Sequence, residues 1–330
     1  MRVGFLSPAH VHADAYVANV RAAGADVVGV TDDDTKRGVR WSAEHGVPWM
    51  GSADELFDAG VDAVVVCSET AHHRKHVERA AAAGVAVLCE KPLATTEDDA
   101  RAIVDTCTRS QVTLMTAFPM RFSPPLREVA STIASGTMGR LYACTGTNQG
   151  ELPLHHGAWF GDPVLAGGGA LMDHTVHVAD ILRWYLGQDP VEVYAVTNNL
   201  LHREATPVET GALVMLTYAD GFFATIDASW SRPPAYPTWG GLTVEFVGEH
   251  GVVDVDAFSQ QLTIYGGTQN QLSWLPWGSD ANQGLIDEFL AAVRERRTPA
   301  VTADDGLAAT RVALAALRSA ETGAPIPFSR

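Results

Sequence analysis

The sequence opens with MRVGFLSPAHVHADAYVANVRAAGADVVGVTDDD (residues 1–34), in which two short apolar runs flank a segment with helical spacing of its apolar residues. The runs at residues 2–6 and 26–31 have the length and composition of buried strands. A strand, a helix and a second strand form the unit from which parallel sheets are built. This stretch therefore predicts a βαβ unit at the start of an α/β domain.

The same alternation continues to about residue 120. Further apolar runs at 63–67, 86–89 and 113–117 are separated by segments of helical period. Ser52 and Glu55 have the spacing of a helix capping box. Four glycines follow the predicted helices, where a left-handed residue commonly ends a helix. They are Gly24, Gly46, Gly60 and Gly84. We predict a doubly wound parallel sheet, a Rossmann domain over residues 1–122.

Beyond residue 122 the pattern changes to longer stretches in which apolar and polar residues alternate, as in antiparallel sheets with one solvated face. Ala219-Asp220-Gly221 has the composition of a hairpin turn. The sequence predicts an α+β domain over 123–330 with a large, mainly antiparallel open sheet. Its strands are expected at 140–148, 191–198, 209–218, 222–230, 242–247 and 251–256, and its helices at 172–186, 282–297 and 304–321.

Composition restricts the classes of function. The chain has 330 residues, 46% of them apolar, and 23 Lys and Arg against 39 Asp and Glu, a formal charge of −16. This is the composition of a folded globular protein, and the acidity argues against a nucleic-acid partner. A run of ~18 apolar residues, as a membrane span needs, does not occur. The N-terminus lacks the apolar core of a signal peptide, and the four cysteines are widely spaced, so we expect a cytoplasmic protein with reduced thiols.

Polar residues follow the carboxyl ends of the predicted parallel strands, the edge at which open α/β sheets bind ligands. We expect them to lie close together and to bind a dinucleotide. The candidate cofactor-binding residues are Ser7, Ala9 and His10 after the first strand, Asp32 after the second, Ser68, Thr70 and His73 after the third, and Glu90 and Lys91 after the fourth.

Asp32 indicates which dinucleotide is bound. It lies 23 residues beyond Ala9, at the position where a carboxylate accepts hydrogen bonds from the adenosine ribose and disfavours a 2′-phosphate. NAD is therefore expected rather than NADP. The alternative is that Asp32 caps the helix that follows.

The histidines are concentrated in a few places, since nine of the twelve fall within four short segments. The segment GGGALMDHTVHVAD, residues 167–180, places Asp173 and His177 four residues apart, so that both project from one face of a helix. A histidine there can act as a general base. The alternative is a glycine turn before a helix with a charge pair on its wet side. The predicted substrate contacts include His155, His156, Trp159, Asp173, His174 and His177.

The chain resembles the Gfo/Idh/MocA family of NAD(P)-dependent oxidoreductases over nearly its whole length. The resemblance is carried by VCSETAHHRKHVERAAAAGVAVLCEKPLA, AFPMRFSPPL, WFGDPVLAGGGALMDHTVHVADILRWYLG and TADDGLAATRVALAALRSAETGAPI. It implies that Lys91, Asp173 and His177 form the catalytic group. It also implies that the C-terminal sheet forms one side of the substrate cleft and, with its other face, joins a homodimer or homotetramer.

Two regions depart from the family pattern. Ser7, Ala9 and His12 occupy the positions of the usual glycine-rich loop, so its path should change. We expect a loop that still binds NAD, with Ser7 or His10 supplying hydrogen bonds; the alternative is lost binding. Pro119 stands where relatives often have Asn, and the retained Arg121 is expected either to contact cofactor and substrate or to form a salt link between the domains.

These observations predict hydride transfer between NAD and a carbinol of a sugar, cyclitol or related polyol. Lys91 would hydrogen-bond the reacting oxygen and His177 would take its proton. One alternative is an enzyme that retains NAD for a net redox-neutral reaction, and another is a non-catalytic sugar or nucleotide sensor. A metal hydrolase built on His10-Val-His12, with Asp14 or His72-His73 recruited, would leave the other motifs unexplained, so no metal is expected.

Overall fold

A computed structural model describes residues 1–266, 271–278 and 280–328. The chain divides into two compact units. Unit 1 comprises Met1–Pro119, Leu154–Gly167 and Ala281–Arg311, and unit 2 comprises the remaining segments. The boundary predicted after residue 122 lies close to the first crossing between units. The two later segments of unit 1 fall in the range that was predicted for the second domain.

Helices and strands alternate through the first third of the chain, and strands dominate afterwards. The helices are α1 His12–Ala22, α2 Thr35–His45, α3 Ala53–Asp58, α4 His73–Ala82, α5 Glu97–Arg109, α6 Pro124–Ala134, α7 Ala170–Leu186, α8 Ala281–Glu295 and α9 Ala303–Thr322. The strands are β1 Arg2–Pro8, β2 Asp26–Thr31, β3 Ala63–Cys67, β4 Ala86–Cys89, β5 Leu114–Thr116, β6 Leu141–Glu151, β7 Glu192–Asn198, β8 Gly211–Thr217, β9 Phe223–Arg232, β10 Gly240–Gly248, β11 Gly251–Asp256, β12 Gln261–Gly266, β13 Gln271–Pro276 and β14 Ile326–Pro327.

Unit 1 is built on a five-stranded parallel sheet with the order β2-β1-β3-β4-β5. The order reverses between β1 and β3, and ligands bind at such a switch point in doubly wound sheets. All residues of β3 and β4 are buried, as expected for central parallel strands covered on both faces. The predicted Rossmann-type sheet is confirmed, and all five predicted strands are present.

The helix ends of unit 1 follow the predicted chemistry. Gly24, Gly46, Gly60 and Gly84 all have positive φ angles, between 62° and 79°. Ser52 caps α3 by accepting a hydrogen bond from the Glu55 backbone N–H at 3.1 Å. The Glu55 carboxylate, however, accepts from the backbone N–H of Gly51, one residue before the position that a capping box uses.

Unit 2 is built on a seven-stranded sheet with the order β11-β10-β6-β9-β8-β7-β14. Every neighbouring pair is antiparallel except β6 with β9, which is parallel. The Ala219–Gly221 turn joins β8 to β9, with Gly221 at φ 88°. The predicted mainly antiparallel sheet is confirmed, whereas the short β14 and the separate β12–β13 ribbon were not predicted.

The two faces of the large sheet differ in what covers them. Helix α7 packs on β6, β8 and β9, and Gly146 permits close contact because a Cβ there would lie 2.7 Å from Val178 Cγ1. On the opposite face, apolar side chains that are paired across β7 and β8 stay exposed by 37–51%. We call this set the outer apolar patch, formed by Tyr194, Val196, Leu213 and Met215.

All four cysteines are free, as predicted, and all four are buried. Burial raises the pKa of each thiol above its usual value, which leaves the thiols protonated and unreactive.

Across the described ranges, each helix is either too short or too polar to cross a lipid bilayer.

Candidate active site

The end of β1 has a left-handed residue, although neither it nor the loop that leads to α1 contains a glycine. Ser7 has φ +63°, a conformation that glycine adopts most easily. Its Oγ lies 3.2 Å from Asp32 Oδ1 and accepts the backbone N–H of Ala9 at 3.3 Å. Hydrogen bonds of its side chain thus hold Ser7 in this conformation. Helix α1 then begins at His12 and keeps the N-terminal dipole that favours a pyrophosphate.

Asp32 directly follows β2 and is bound by a residue that sequence reasoning missed, Arg37. Arg37 Nε lies 2.6 Å from Asp32 Oδ2, and Nη2 lies 2.7 Å from Oδ1. A second carboxylate, Glu69, accepts a hydrogen bond from Arg37 Nη1 at 2.7 Å. Although burial opposes it, pairing with both carboxylates raises the pKa of Arg37 above its usual value. Asp34, not Asp32, caps α2 by accepting from the N–H groups of Lys36 and Arg37.

His10, His12 and Glu90 form a cluster, buried except for the partly exposed His12, whose ligand atoms all lie within 4.8 Å of one another. Two histidines and a carboxylate are a ligand set that zinc uses. These atoms are already bonded to each other, however. His12 Nδ1 lies 2.9 Å from Glu90 Oε1, and His10 Nδ1 accepts the backbone N–H of His12 at 3.2 Å. The geometry is therefore that of a hydrogen-bonded network that orders the β1–α1 loop.

Glu90 is an ionised carboxylate in the interior of unit 1, with its side chain fully buried. Burial raises the pKa of this carboxyl. The imidazoles of His10 and His12 lower the same pKa by a larger amount, so the pKa lies well below its usual range. Its Oε2 also accepts the backbone N–H of Lys91 at 3.0 Å. Glu90 thereby ties the predicted catalytic lysine to the β1–α1 loop.

Lys91 follows β4 directly and is only 2% exposed. Its position is fixed by His73, whose Nδ1 donates to the carbonyl oxygen of Pro92 at 3.0 Å. His73 Nε2 faces the carbonyl of Ser68 at 3.2 Å, so this ring links the loops that follow β3 and β4. Burial lowers the pKa of His73. Ser68, Thr70 and Glu90 are likewise buried, so the predicted residues of β1, β2, β3 and β4 do meet at one sheet edge.

The segment that contains His155, His156 and Trp159 belongs to unit 1. Trp159 Nε1 donates to the carbonyl of Ala9 at 3.1 Å, and its ring stacks on Phe160 with centroids 4.0 Å apart. Trp159 is 8% exposed and packs against the β1–α1 loop, which suits a supporting role. His155 and His156 are exposed neighbours whose rings lie 3.9 Å apart.

The glycine run before α7 permits a close backbone approach. A Cβ on Gly169 would lie 1.9 Å from the carbonyl oxygen of Glu209. The Glu209 side chain accepts from the N–H groups of Gly169 at 2.7 Å and Leu171 at 3.2 Å, so it satisfies the first turn of α7. Burial raises the pKa of Glu209 above its usual value, although these hydrogen bonds oppose the shift. Sequence reasoning missed Glu209 because it lies about 40 residues further along the chain.

The adjacent residues Asp173 and His174 lie one turn before His177 on α7. Their exposed fractions are 7%, 3% and 9%, respectively. Asp173 Oδ2 lies 3.2 Å from His174 Nε2 and accepts from Trp230 Nε1 at 3.3 Å. The charge pair on a wet helix face is therefore excluded, because this face of α7 is buried. Lys91 belongs to unit 1, whereas Asp173, His174 and His177 belong to unit 2.

Arg121 forms a buried ion pair with Asp180 within unit 2. Its Nε lies 2.8 Å from Asp180 Oδ2 and its Nη2 lies 2.6 Å from Oδ1. The guanidinium also lies 5.8 Å from the centre of the Trp184 ring. This bidentate pair joins the 3₁₀ turn Pro119–Phe122 to α7 and favours a structural role for Arg121. The salt link predicted between domains is thus found inside one unit.

Comparison with known proteins yields matches to both halves of the chain. Residues 3–118 match an oxidoreductase family with an NAD-binding Rossmann fold, and residues 126–254 match the GFO/IDH/MocA C-terminal domain.

Individual relatives align with most of the chain. A 1,5-anhydro-D-fructose reductase of Ensifer adhaerens is 29% identical over 98% of this chain and 97% of its own length. An inositol 2-dehydrogenase of Rhizobium meliloti is 30% identical over 79% of each chain. The crystal structure of GenD2 from gentamicin A biosynthesis in complex with NAD superposes with a TM-score of 0.90 at 26% identity, covering 100% of this chain and 97% of that one.

Proposed function

Because the chain belongs to the Gfo/Idh/MocA family of oxidoreductases and has its NAD-binding Rossmann fold, we propose that it transfers a hydride between NAD and a carbinol of a sugar, cyclitol or related polyol. The observation that carries the proposal is the buried Lys91 at the carboxyl end of β4, in a chain whose α7 carries Asp173 and His177. The 1,5-anhydro-D-fructose reductase and inositol 2-dehydrogenase relatives support this substrate class.

Each of the three residues has a chemical role in the proposed reaction. The bound dinucleotide supplies the carbon that accepts or gives the hydride. Lys91 donates a hydrogen bond to the carbinol oxygen and stabilises negative charge that develops there. His177 takes the hydroxyl proton as general base during oxidation and returns it during reduction. Asp173 orients one of these two groups. His155, His156 and His174 are proposed to contribute to the substrate side of the site.

The residues around the β1–α1 loop fit a dinucleotide. Ser7 keeps the left-handed turn, α1 presents its N-terminus, and Asp32 lies at the end of β2. NAD is proposed over NADP because Arg37 is shared by two carboxylates, Asp32 and Glu69. One cation between two anions leaves a net negative charge, which disfavours a 2′-phosphate.

The proposed assembly is a homodimer or homotetramer joined through the large sheet of unit 2. The outer apolar patch supports this because contiguous exposed apolar side chains mark interaction sites. A cytoplasmic location is proposed from the four buried, unpaired thiols, which suit a reducing compartment. Light scattering of the purified protein and fractionation of the producing cells test these two points.

The function is tested by supplying purified protein and NAD with a panel of aldoses, anhydrosugars and cyclitols and by recording the absorbance of reduced nicotinamide. At least one class is expected to give NAD-dependent turnover. Lys91→Met is expected to abolish turnover, since the methionine has a similar length but cannot donate a hydrogen bond. NAD affinity, measured by calorimetry, should stay within about threefold. Wild-type rates in this variant would refute the role of Lys91.

A further inference from the structure

We infer that His174 is a positioning residue, which pairs as an imidazolium with Asp173 and keeps that carboxylate ionised and oriented beside the general base. The inference rests on the proposed hydride transfer, in which His177 takes the carbinol proton. It gives His174 a role through Asp173, which differs from the direct substrate contact suggested by the sequence.

The geometry places His174 between two oxygen atoms. Its Nδ1 lies 2.9 Å from the carbonyl oxygen of Asn148, and its Nε2 lies 3.2 Å from Asp173 Oδ2. The ring is 3% exposed, so water does not compete for these contacts. Trp230 Nε1 donates to the same Oδ2 at 3.3 Å. The Asp173 carboxylate is therefore held by two aromatic nitrogens.

The proton count decides the charge of the pair. A carbonyl oxygen can only accept, so Nδ1 of His174 must carry a proton to bond Asn148. A neutral imidazole would then present its Nε2 lone pair to the Asp173 oxygen, which is repulsive. A second proton removes the conflict, and the donation from Trp230 favours the ionised form of the carboxylate. The pair is therefore an imidazolium and a carboxylate, with no net charge.

Two neighbouring residues, Gly150 and Trp239, accommodate the His174 imidazole in this position. A Cβ on residue 150 would lie 2.8 Å from His174 Cε1, so Gly150 is required for the imidazole to sit here. Trp239 presents an edge-on contact with centroids 6.2 Å apart.

Within the part of the chain that the structure describes, few charged groups contact the ring. The residues that contact the ring from β6 and from the segment before β10 are Asn148 and Trp239, and neither is ionisable. Trp230 of β9 contacts the Asp173 carboxylate instead. Along α7 the nearest titratable groups are Asp173, His177 and Asp180, and Asp180 is paired with Arg121. Among the described residues, Asp173 is the carboxylate paired with His174.

The ion pair has a consequence for the reaction. During oxidation the carbinol O–H bond breaks and an N–H bond forms on His177, which becomes a cation. Asp173 lies one turn earlier on α7, at a spacing that stabilises such a cation only while the carboxylate is ionised. His174 thus prevents Asp173 from taking up the proton, although it does not itself exchange a proton with substrate.

The first test compares the pH profiles of kcat for wild type, His174→Phe and His174→Gln. Without the imidazolium the buried carboxylate favours its protonated form, so the acidic limb should move up by about one pH unit in His174→Phe. Glutamine can donate a hydrogen bond but carries no charge, so His174→Gln should show a smaller shift. KM for the polyol should stay within about threefold. The matched control is His202→Phe, since His202 Nε2 donates to the Trp230 carbonyl and pairs with no carboxylate among the described residues.

The second test needs no turnover. In ¹⁵N-histidine NMR spectra at neutral pH, the imidazole signal that is absent in His174→Gln should come from a ring with both nitrogens protonated. In Asp173→Asn the same ring should lose its second proton. A singly protonated His174 in wild type, or an acidic limb unmoved in both His174 variants, would overturn the inference. If no substrate is turned over, the proposed function fails while the NMR result still decides the charge of the pair.

Discussion

Arg37 holds both carboxylate oxygens of Asp32, with N–O distances of 2.6 and 2.7 Å, and at the same time bonds Glu69. Asp32 is the residue expected to bind the adenosine ribose, and arginines near this position accommodate the 2′-phosphate of NADP in other dinucleotide-binding proteins. The site thus contains the carboxylate that favours NAD and, paired with it, the cation that NADP would need. The preference between the cofactors depends on the balance of these charges.

Replacing Asp32 is expected to shift this preference. In Asp32→Ser the guanidinium keeps Glu69 but loses its bidentate partner, so it can bond a 2′-phosphate. The ratio of kcat/KM for NAD over NADP should fall by at least about tenfold, which corresponds to about 1.4 kcal/mol. Asp33→Ser is the matched control, because Asp33 pairs with Lys75 at the surface. An unchanged ratio in Asp32→Ser would show that Asp32 does not set the preference.

Gly169 is expected to be intolerant of any side chain. In Gly169→Ala the new Cβ would lie 1.9 Å from the Glu209 carbonyl oxygen, so the start of α7 or the segment before β8 must move. We expect a loss of about 3 kcal/mol in the free energy of unfolding, measured with urea.

Gly211→Ala provides the control for Gly169→Ala. Its Cβ would lie 3.7 Å from the side chain of Asn198, an ordinary contact distance. This change should alter the unfolding free energy by less than about 0.5 kcal/mol. Equal effects of the two substitutions would refute the assigned close approach.

His76 should make the stability of unit 1 depend on pH. Burial lowers its pKa from 6.5 to about 4, and the nearby Asp33 only partly offsets this. Between pH 6.5 and about pH 4, His76 is protonated in the unfolded chain but neutral in the folded protein. The free energy of unfolding therefore decreases as the pH falls through this range. The loss attributable to His76 reaches about 3 kcal/mol.

Removing the imidazole should remove this loss. Denaturant titration at several pH values gives the unfolding free energy of wild type and of His76→Leu. As the pH falls, the wild type should lose more unfolding free energy than the variant does. His250→Leu changes an exposed histidine and should show no such trend. Parallel pH curves for wild type and His76→Leu would contradict the assignment.

The outer apolar patch should determine the oligomeric state. Leu213→Glu places a charge at a position that is 51% exposed in the single chain and flanked by Val196 and Met215. Burying an unpaired carboxylate in an interface is costly, so the mass from light scattering should fall to that of one chain. Leu200→Glu alters an exposed leucine outside the strands and should leave the mass unchanged. A wild-type mass in Leu213→Glu would exclude this face as the interface.

Local sequence signals predicted most of the architecture. The runs at 63–67 and 86–89 coincide with β3 and β4, because central parallel strands are buried on both faces and must be continuously apolar. The two-residue β14 was not predicted, because its pairing with β7 joins positions far apart in the sequence. The ribbon of β12 and β13 was missed as well. Its large apolar side chains, such as Leu262 and Leu275, remain about half exposed, so no buried face marks the strands.

The candidate site was predicted where residues follow strand ends or share a helix face, as Asp32, Glu90, Lys91 and His177 do. Arg37 was missed because an arginine in the first turn of a helix resembles a solvated residue, and only the fold brings it to Asp32. Glu209 was missed because it caps α7 from a distant part of the chain. The wet charge pair considered for Asp173 was wrong, because Trp230 from β9 covers that position.

The left-handed backbone at Ser7 has a consequence for how such loops are recognised. A search for the letters G-x-G-x-x-G passes over this chain, yet Ser7 has a positive φ, the conformation that glycine adopts without steric cost. Dinucleotide sites that have lost their glycines can therefore be sought by backbone torsion, together with a nearby side-chain acceptor or donor that holds the residue in place.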